Sequence, residues 1–326
     1  MVLDWMLLLT AAVGVAAPLI LAGVGETLTE RAGLINLSLD GTLLLAAMAG
    51  FAAAYHSGSV AIGFAAGAAV GAAVAALVGW AGAVLGASQV AVGFVLTLTC
   101  RDLAYFLGNP LARLQGPQLL PFPVPLLADL PVVGRLLFQH NAVVYASLLL
   151  VPGAWWVLFH TRVGLTLRAV GENPSAAYAR GIDPRRVQVL AAVAGGALVG
   201  LAGAAFSLSV KPGWGRPQGA EGIGWIALAL VIFGGWHPAK VAVGALLFAF
   251  LQVAGIPLQD AWPGVPTQVI QVAPFPLMIF TLAFVHGLRT EPVQRWAGDH
   301  PRLQRVLHLL TAAAPRALGK DVRRGT

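Results

Sequence analysis

"AVGENPSAAYARGIDPRR", residues 169–186, lies between two long apolar segments and carries helix punctuation at both ends. Asn173 is a strong N-cap residue, and Pro174 suits the first helical position, where its missing N–H costs nothing. Gly181 can take the left-handed conformation that ends a helix, and Pro184 blocks continuation. The punctuation predicts a helix over residues 174–180, about 10 Å long at about 1.5 Å per residue. Its side chains are mostly small (Ser175, Ala176, Ala177, Ala179), with Glu172 and Arg180 as opposite charges at its ends. Two readings stay open. The stretch is either a decorated loop or a peg whose small-residue surface buries in a groove of a partner.

Composition sets the surroundings. Charged residues make up 10% of the 326-residue chain and hydrophobic residues 58%. An ordinary soluble domain carries about 25% charged residues. A water-soluble fold of this length could not hide so much apolar surface, so the fold class is all-α, a polytopic membrane helix bundle of about 8–10 transmembrane helices. A membrane helix needs about 20 mostly apolar residues. Candidate segments lie near 5–25, 40–55, 59–80, 86–108, 141–160, 187–210, 223–236, 240–256 and 266–288. The first 45 residues leave room for a re-entrant segment at 30–45, and the 59–87 run for one tilted or one broken helix.

Charge asymmetry orients these segments. Residues 161–186 carry five arginines against two acids, and the tail from 289 carries eight Lys/Arg against three acids. Both belong in the cytoplasm by the positive-inside rule. An even number of crossings must join them, which separates 223–236 from 240–256 and makes "GGWHPAK" a tight cytoplasmic hairpin. Counting back gives about nine crossings and an external N-terminus. The expected organisation is one transmembrane domain over 1–288, with a cytoplasmic loop at 161–186 and an external Pro-rich loop at 109–140. A basic cytoplasmic tail follows over 289–326. In that tail Leu303, Val306, Leu307 and Leu310 share one face, as in a helix lying on the membrane surface.

Several function classes are excluded. A single cysteine, Cys100, leaves no intramolecular disulfide and no thiolate-rich metal site. There is no HExxH and no GxxxxGK[ST], so neither a metal nor a nucleotide-hydrolysing site is expected in this chain. The net charge of +7 is concentrated in the juxtamembrane tail, which argues for lipid contact and against nucleic acid. No nucleophile–base pair stands at catalytic spacing. An ion-coupled secondary transporter needs an intramembrane carboxylate or histidine relay, and only Asp40, Asp102 beside Arg101, and Asp260 in an expected loop come close.

Within the membrane segments, Gly63, Gly67 and Gly71 recur every fourth residue, as do Gly196 and Gly200 followed by Ala204. Such stripes let helix backbones approach closely. Asn36 and Asp40 interrupt an apolar run. Asp40 either sits at depth, with Asn36 or an opened helix N-terminus as partner, or caps a helix starting at Thr42 at the interface. Gln89, Thr97 and Thr99 break one apolar helix, and Gln268 and Gln271 align on another. Each serves a solute pathway or bonds helix to helix. Trp214 either packs on a delivering protein or anchors at the interface.

Three stretches together resemble a known family. "TLRAVGENPSAAYARGIDPRRVQVLAAVAGGALVGLAGA" (166–204) is similar to the signature of ABC importer permeases for nucleosides, simple sugars and branched-chain amino acids. "GETLTERAGLINLSLDGTLLLAA" (25–47) resembles that family's N-terminal block, and "GIGWIALALVIFGGWHPAKVAVGALLFAFLQ" (222–252) its late hairpin. The "NLSLDG" and "ALVIFGGWHP" forms look closer to the nucleoside and sugar members. The resemblance implies a transport subunit of the bacterial cytoplasmic (inner) membrane that is not itself an enzyme. It also implies a second permease, cytoplasmic subunits that bind ATP and magnesium, and an extracytoplasmic solute-binding protein. A vitamin-like solute is a further option. Residues 172–181 would be the coupling helix, with Asn173 and Gly181 holding its ends and Glu172 or Arg180 pairing across the interface.

Overall fold

The computed structural model describes residues 5–261 and 314–320, together with residues 264, 276, 280 and 287. Gln268, Gln271, the 266–288 segment and the amphipathic stretch of the tail lie outside the described residues. No strand occurs among those described. The helices are α1 (Trp5–Arg31), α2 (Leu39–Ser57), α3 (Val60–Ala83), α4 (Gln89–Gly108), α5 (Val133–Leu137) and α6 (Ala142–His160). They are followed by α7 (Arg162–Glu172), α8 (Pro174–Ala179), α9 (Pro184–Ala205), α10 (Ile223–Phe233) and α11 (Pro238–Ala261). A π-helical turn, Phe206–Val210, extends α9. Position 260, expected in a loop, falls inside α11.

Six of the described helices are long and apolar enough to cross a membrane: α1, α3, α4, α6, α9 and α11. Two expected crossings take another form. The 223–236 segment holds only the 11-residue α10. That is about 16 Å long, roughly half the hydrocarbon thickness. The 40–55 segment is α2, whose first turn is fully enclosed: Leu39, Asp40, Gly41 and Thr42 are all buried. Residues 32–38 bring the chain back into the bundle between α1 and α2. The 59–87 run is one continuous helix with its end at Ala83.

The core is built on glycine. α3 and α9 pack along their glycine stripes with almost no side chain between them. A methyl on Gly67 would come to 2.8 Å from the Gly200 carbonyl oxygen, and one on Gly71 to 2.6 Å from the Gly200 amide nitrogen. Gly63 likewise meets the Gly50 carbonyl at 2.6 Å on α2, and Gly196 sees Ala75 and Gly71. Apolar attraction between helices is weak in lipid, so close backbone approach and dispersion hold such a seam. On the other side of α9, Gly195 packs on Gly25 and Thr29 of α1. α9 is therefore the central post, with α1, α2 and α3 around it. Larger side chains, Phe51, Leu43, Leu44 and Leu208 among them, fill the spaces the glycines leave.

The two long helices α1 and α9 share a pattern. Each is followed by a segment that drops back into the bundle, 32–38 and 211–222, and each segment starts a new helix inside it. These starts meet. A Cβ on Gly224, in the first turn of α10, would overlap the backbone of Leu39 and Asp40 in the first turn of α2. Gly41 in turn presses on the backbone of Thr97, near the middle of α4. The 19-residue α2 and the half-length α10 thus begin in contact, beside the middle of α4.

Candidate functional site: a displayed capped helix and a broken-helix junction

At one end of the bundle the chain makes three caps in succession. Thr161 closes α6 and its hydroxyl accepts from Gly164 N at 3.2 Å, opening α7. Asn173 ends α7 and its Oδ1 accepts from Ala176 N at 3.0 Å, opening α8 with Pro174 in the first position. Gly181, at φ +82°, reverses the backbone. Ile182 N then donates to Ala177 O at 3.1 Å and Gly181 N to Tyr178 O at 2.9 Å. Asp183 Oδ1 accepts from Arg185 N at 3.0 Å and Arg186 N at 3.4 Å, opening α9. Every helix end here has a local partner, so α8 is held as a short rod between two longer helices.

Not all of α8 faces outward. Ala177 is buried against the chain's own α7 and α9, and it does not share the displayed face. Ser175, Ala176, Tyr178, Ala179 and Arg180 are exposed, Tyr178 at 68%. An exposed tyrosine among alanines is the largest contact surface on the rod. Sequence reading passed over it, although an aromatic in a six-residue helix of small side chains is a visible signal. Glu172, expected to pair with a partner, has Arg316 of its own tail at 3.8 Å.

The base of this loop is clamped to the rest of the bundle. Gly171 packs on the Arg31 carbonyl and on Gly33. The tail adds Ala317 N to Gly171 O at 2.9 Å and Gly319 N to Gly33 O at 3.0 Å. The hairpin between α10 and α11 joins in: Arg31 Nε donates to Trp236 O at 2.9 Å, and the Trp236 indole donates to the Glu30 carboxylate. The Phe159 ring has the guanidinium groups of Arg31 and Arg168 at 5.6 and 5.3 Å and His237 stacked at 5.3 Å. Burial first, then Lys240 and Arg31, hold the His237 imidazole below its usual protonation range.

The second polar region is the junction of α2 and α10. Asp40 is the second residue of α2, which begins at Leu39 rather than Thr42, so its carboxylate caps no local helix there. Its Oδ1 accepts from Gly224 N at 3.1 Å and so caps α10 from across the bundle. Asn36 is not its partner. The Asn36 Oδ1 accepts from Ser38 N at 3.1 Å and from Ser38 Oγ at 2.6 Å, and Asn36 N donates to Glu26 Oε1 at 3.2 Å. Gln89 Oε1 accepts from Ile35 N at 2.9 Å, and Thr97 Oγ1 donates to Leu37 O at 2.6 Å. All four side chains are buried and tie down the broken backbone of 32–38, as backbone out of reach of water requires. Thr99 bonds back to Val95 O within its own helix.

Glu26 and Glu30 were missed in the sequence. They sit one turn apart on α1 and are buried at 0% and 4% exposure, so the membrane segments are not as free of carboxylates as the sequence suggested. Both are engaged structurally, through Asn36 N and the Trp236 indole, and neither forms a relay with a histidine. Trp214, expected at a surface, is instead buried. It is 4% exposed, lodged against Gly108 and Met48 and packed on Tyr105 at 5.8 Å between ring centres. Among the described residues no group of three His, Cys, Asp or Glu side chains could hold a metal ion.

An all-helical multi-pass bundle with broken inner helices and a rigid displayed rod defines a membrane transport subunit. The family model for the branched-chain amino acid transport system / permease component matches residues 8–282, and the chain belongs to that family of ABC importer permeases. It is 39% identical over 248 residues to a putative glucose ABC transporter permease of Haloferax volcanii, covering 75% of each chain. A nucleoside ABC transporter permease of Lactococcus lactis subsp. cremoris is 31% identical over 292 residues, 85% of this chain and 91% of that one. A guanosine ABC transporter permease of Bacillus subtilis is 29% identical over 298 residues, again 85% and 91%. No solved structure matches.

Proposed function

We propose that this chain carries nucleosides or simple sugars inward across a cytoplasmic membrane, with α8 as the coupling helix of the importer. The substrate class rests on the relatives, whose names are those of glucose, nucleoside and guanosine permeases. The coupling role rests on one observation: α8 is capped at both ends and presents Tyr178 outward, while its base packs on α1 and α9 and is bonded to the tail. A rod held this way transmits displacement into the bundle. A floppy loop would absorb it.

In this reading the 161–186 end faces the cytoplasm, where its five arginines belong. A separate subunit holds ATP and magnesium and receives α8 in a cleft. A second permease completes the membrane unit, and a solute-binding protein delivers to the opposite end. The family description favours branched-chain amino acids as the second reading.

Uptake of labelled adenosine, guanosine, ribose, glucose and leucine into cells with and without this gene tests the substrate class. Tyr178→Asp tests the coupling role, because it changes an exposed side chain and leaves the caps in place. Uptake should fall at least tenfold, about the effect of 1.4 kcal/mol lost at the contact, while membrane-inserted protein stays at its normal level. Wild-type uptake by this variant would remove α8 from the coupling path. Ala177, being buried, is the wrong position for that test.

A further inference from the structure

α4 exposes one continuous stripe away from the bundle, and the stripe changes character along its length. Ala91 and Val95 begin it, then Thr99, Asp102, Phe106 and Asn109 follow at helical spacing on the same side. The opposite side, Gly93, Thr97, Cys100, Ala104 and Gly108, is buried. Asp102 is 72% exposed and Phe106 77%. Asp102 is five residues beyond Thr97, which touches the start of α2 near the middle of α4. It lies six residues before the end of α4, inside a helix long and apolar enough to cross a membrane. A carboxylate facing hydrocarbon there is strongly disfavoured, so intramembrane acids face water or protein. This one faces away from its own protein.

The surroundings are those of a binding wall. Arg101 Nε reaches Asp102 Oδ1 at 3.2 Å, pairing the carboxylate with the cation beside it on α4. A shallow, open depression of about 720 Å³ runs along Asp102, Tyr105, Phe106 and Asn109 to Arg216. Arg216 lies over the Tyr105 ring at 4.8 Å, and the Tyr105 hydroxyl donates to Glu221. Glu221 in turn accepts from Gln218 N at 2.8 Å and Gly219 N at 2.6 Å, fixing the 211–222 segment as the far wall.

We infer that the Thr99–Asp102–Phe106–Asn109 stripe of α4 lines the solute route and holds a ring bearing vicinal hydroxyls, with Asp102 accepting from the diol and Phe106 covering the ring face. The chemistry selects this ligand. An ionised carboxylate accepts two adjacent O–H groups, and an exposed aromatic packs the apolar face of a ring. A cation would be repelled by Arg101 and Arg216, and an aliphatic amino acid would leave the carboxylate unsatisfied. Free sugar and ribonucleoside share the diol. The inference rests on the proposed import function and assigns the site within it.

Two measurements on the complete importer in cells test it. In a Cys100→Ala background, Thr99→Cys, Asp102→Cys and Asn109→Cys should react with a charged, membrane-impermeant thiol reagent and be shielded by saturating solute. Leu149→Cys, on the 73%-exposed lipid-side position of α6, should not react. No labelling at 99 and 102 overturns the water-lined route, whatever the importer carries. Uptake of adenosine against its 3′-deoxy analogue, and of ribose against 2-deoxyribose, reads the diol. Wild type should prefer each diol by at least about tenfold, and Asp102→Asn should narrow that to within about twofold. The pair that shows the effect separates nucleoside from free sugar. An unchanged preference in Asp102→Asn overturns the assignment, as does loss of the second permease on purification of Asp102→Ala, which would make the stripe a contact between chains. Uptake of leucine alone, with the cysteines labelled, overturns the diol assignment and leaves the permease reading intact.

Discussion

Asp183 and Asp40 are the same residue doing the same job, and only one of them announces it. Asp183 accepts from the amides of Arg185 and Arg186, two and three positions ahead. Asp40 accepts from the amide of Gly224, 184 positions away. Asn173 and Asn36 make a similar pair: one caps α8 at the surface, the other closes a turn inside the bundle against Ser38. The surface loop spends its polar side chains locally and keeps an outward face for contact. The buried junction spends them across the bundle, because two helices started inside a membrane leave amide and carbonyl groups with no water to meet. Polar residues in a membrane segment are therefore poor evidence for a pathway until the broken backbone near them has been accounted for.

The sharpest way to break this contrast is to separate the two helix starts. Gly224→Ala puts a methyl into the backbone of Leu39 and Asp40. Overpacking against backbone leaves no rotamer to retreat to, and the expected cost is about 3 kcal/mol or more. Folded protein recovered from membranes in detergent should fall sharply. Asp40→Ala comes next. It orphans a buried amide at the start of α10, for about 1–3 kcal/mol, whereas Asp183→Ala leaves its amides to solvent and costs about 1 kcal/mol. Thermal unfolding of the purified variants should rank them in that order, and equal shifts would deny that Asp40 bears the greater load. The smaller surface effect has a companion. Gly181 has open space around its Cβ position and φ +82°, so Gly181→Ala costs only the left-handed backbone, about 1–2 kcal/mol.

What was legible follows the same division. The helix ends of the 161–186 loop could be read from Asn173, Pro174, Gly181 and Pro184 because caps act over two to four residues. The α3–α9 glycine spacing was visible as periodicity, though which stripe meets which is set by tertiary register. The membrane class came from composition. What could not be read were α7, whose mixed sequence carries no strong apolar run, and the contact between Asp40 and the start of α10, which joins residues 184 positions apart. Of the two readings open for Gln89 and Thr97, pathway or tie between segments, the sequence could not choose, because hydrogen bonds to Ile35 and Leu37 leave no trace in spacing. Glu26 and Glu30 sit at the C-terminal end of an apolar run, where an interfacial position is the simpler expectation. Burial by α10, α11 and the hairpin, all distant in sequence, takes them inside.

The finest distinction between the two regions concerns protonation. His237 lies in the α10–α11 hairpin at the loop end, stacked on Phe159, with Arg31 and Arg168 on the same ring and Lys240 one turn on in its own helix. Glu30 faces the neighbouring Trp236 and not the imidazole. Burial first, then Lys240 and Arg31, favour the neutral ring, so its protonation midpoint in the folded chain is below the ordinary 6.5. The unfolded chain then binds a proton that the folded chain refuses as pH falls through that window. This contribution to stability is complete above about pH 6.5 and is lost progressively below it. Thermal unfolding between pH 8 and pH 5 should show a modest decline on the acid side, smaller than the loss of either aspartate cap. His237→Gln keeps a polar side chain of similar reach but cannot titrate, so it should flatten the decline without lowering stability at pH 8. A slope that survives the substitution would shift the acid sensitivity to the carboxylates, and with it the weight from the loop end to the buried junction.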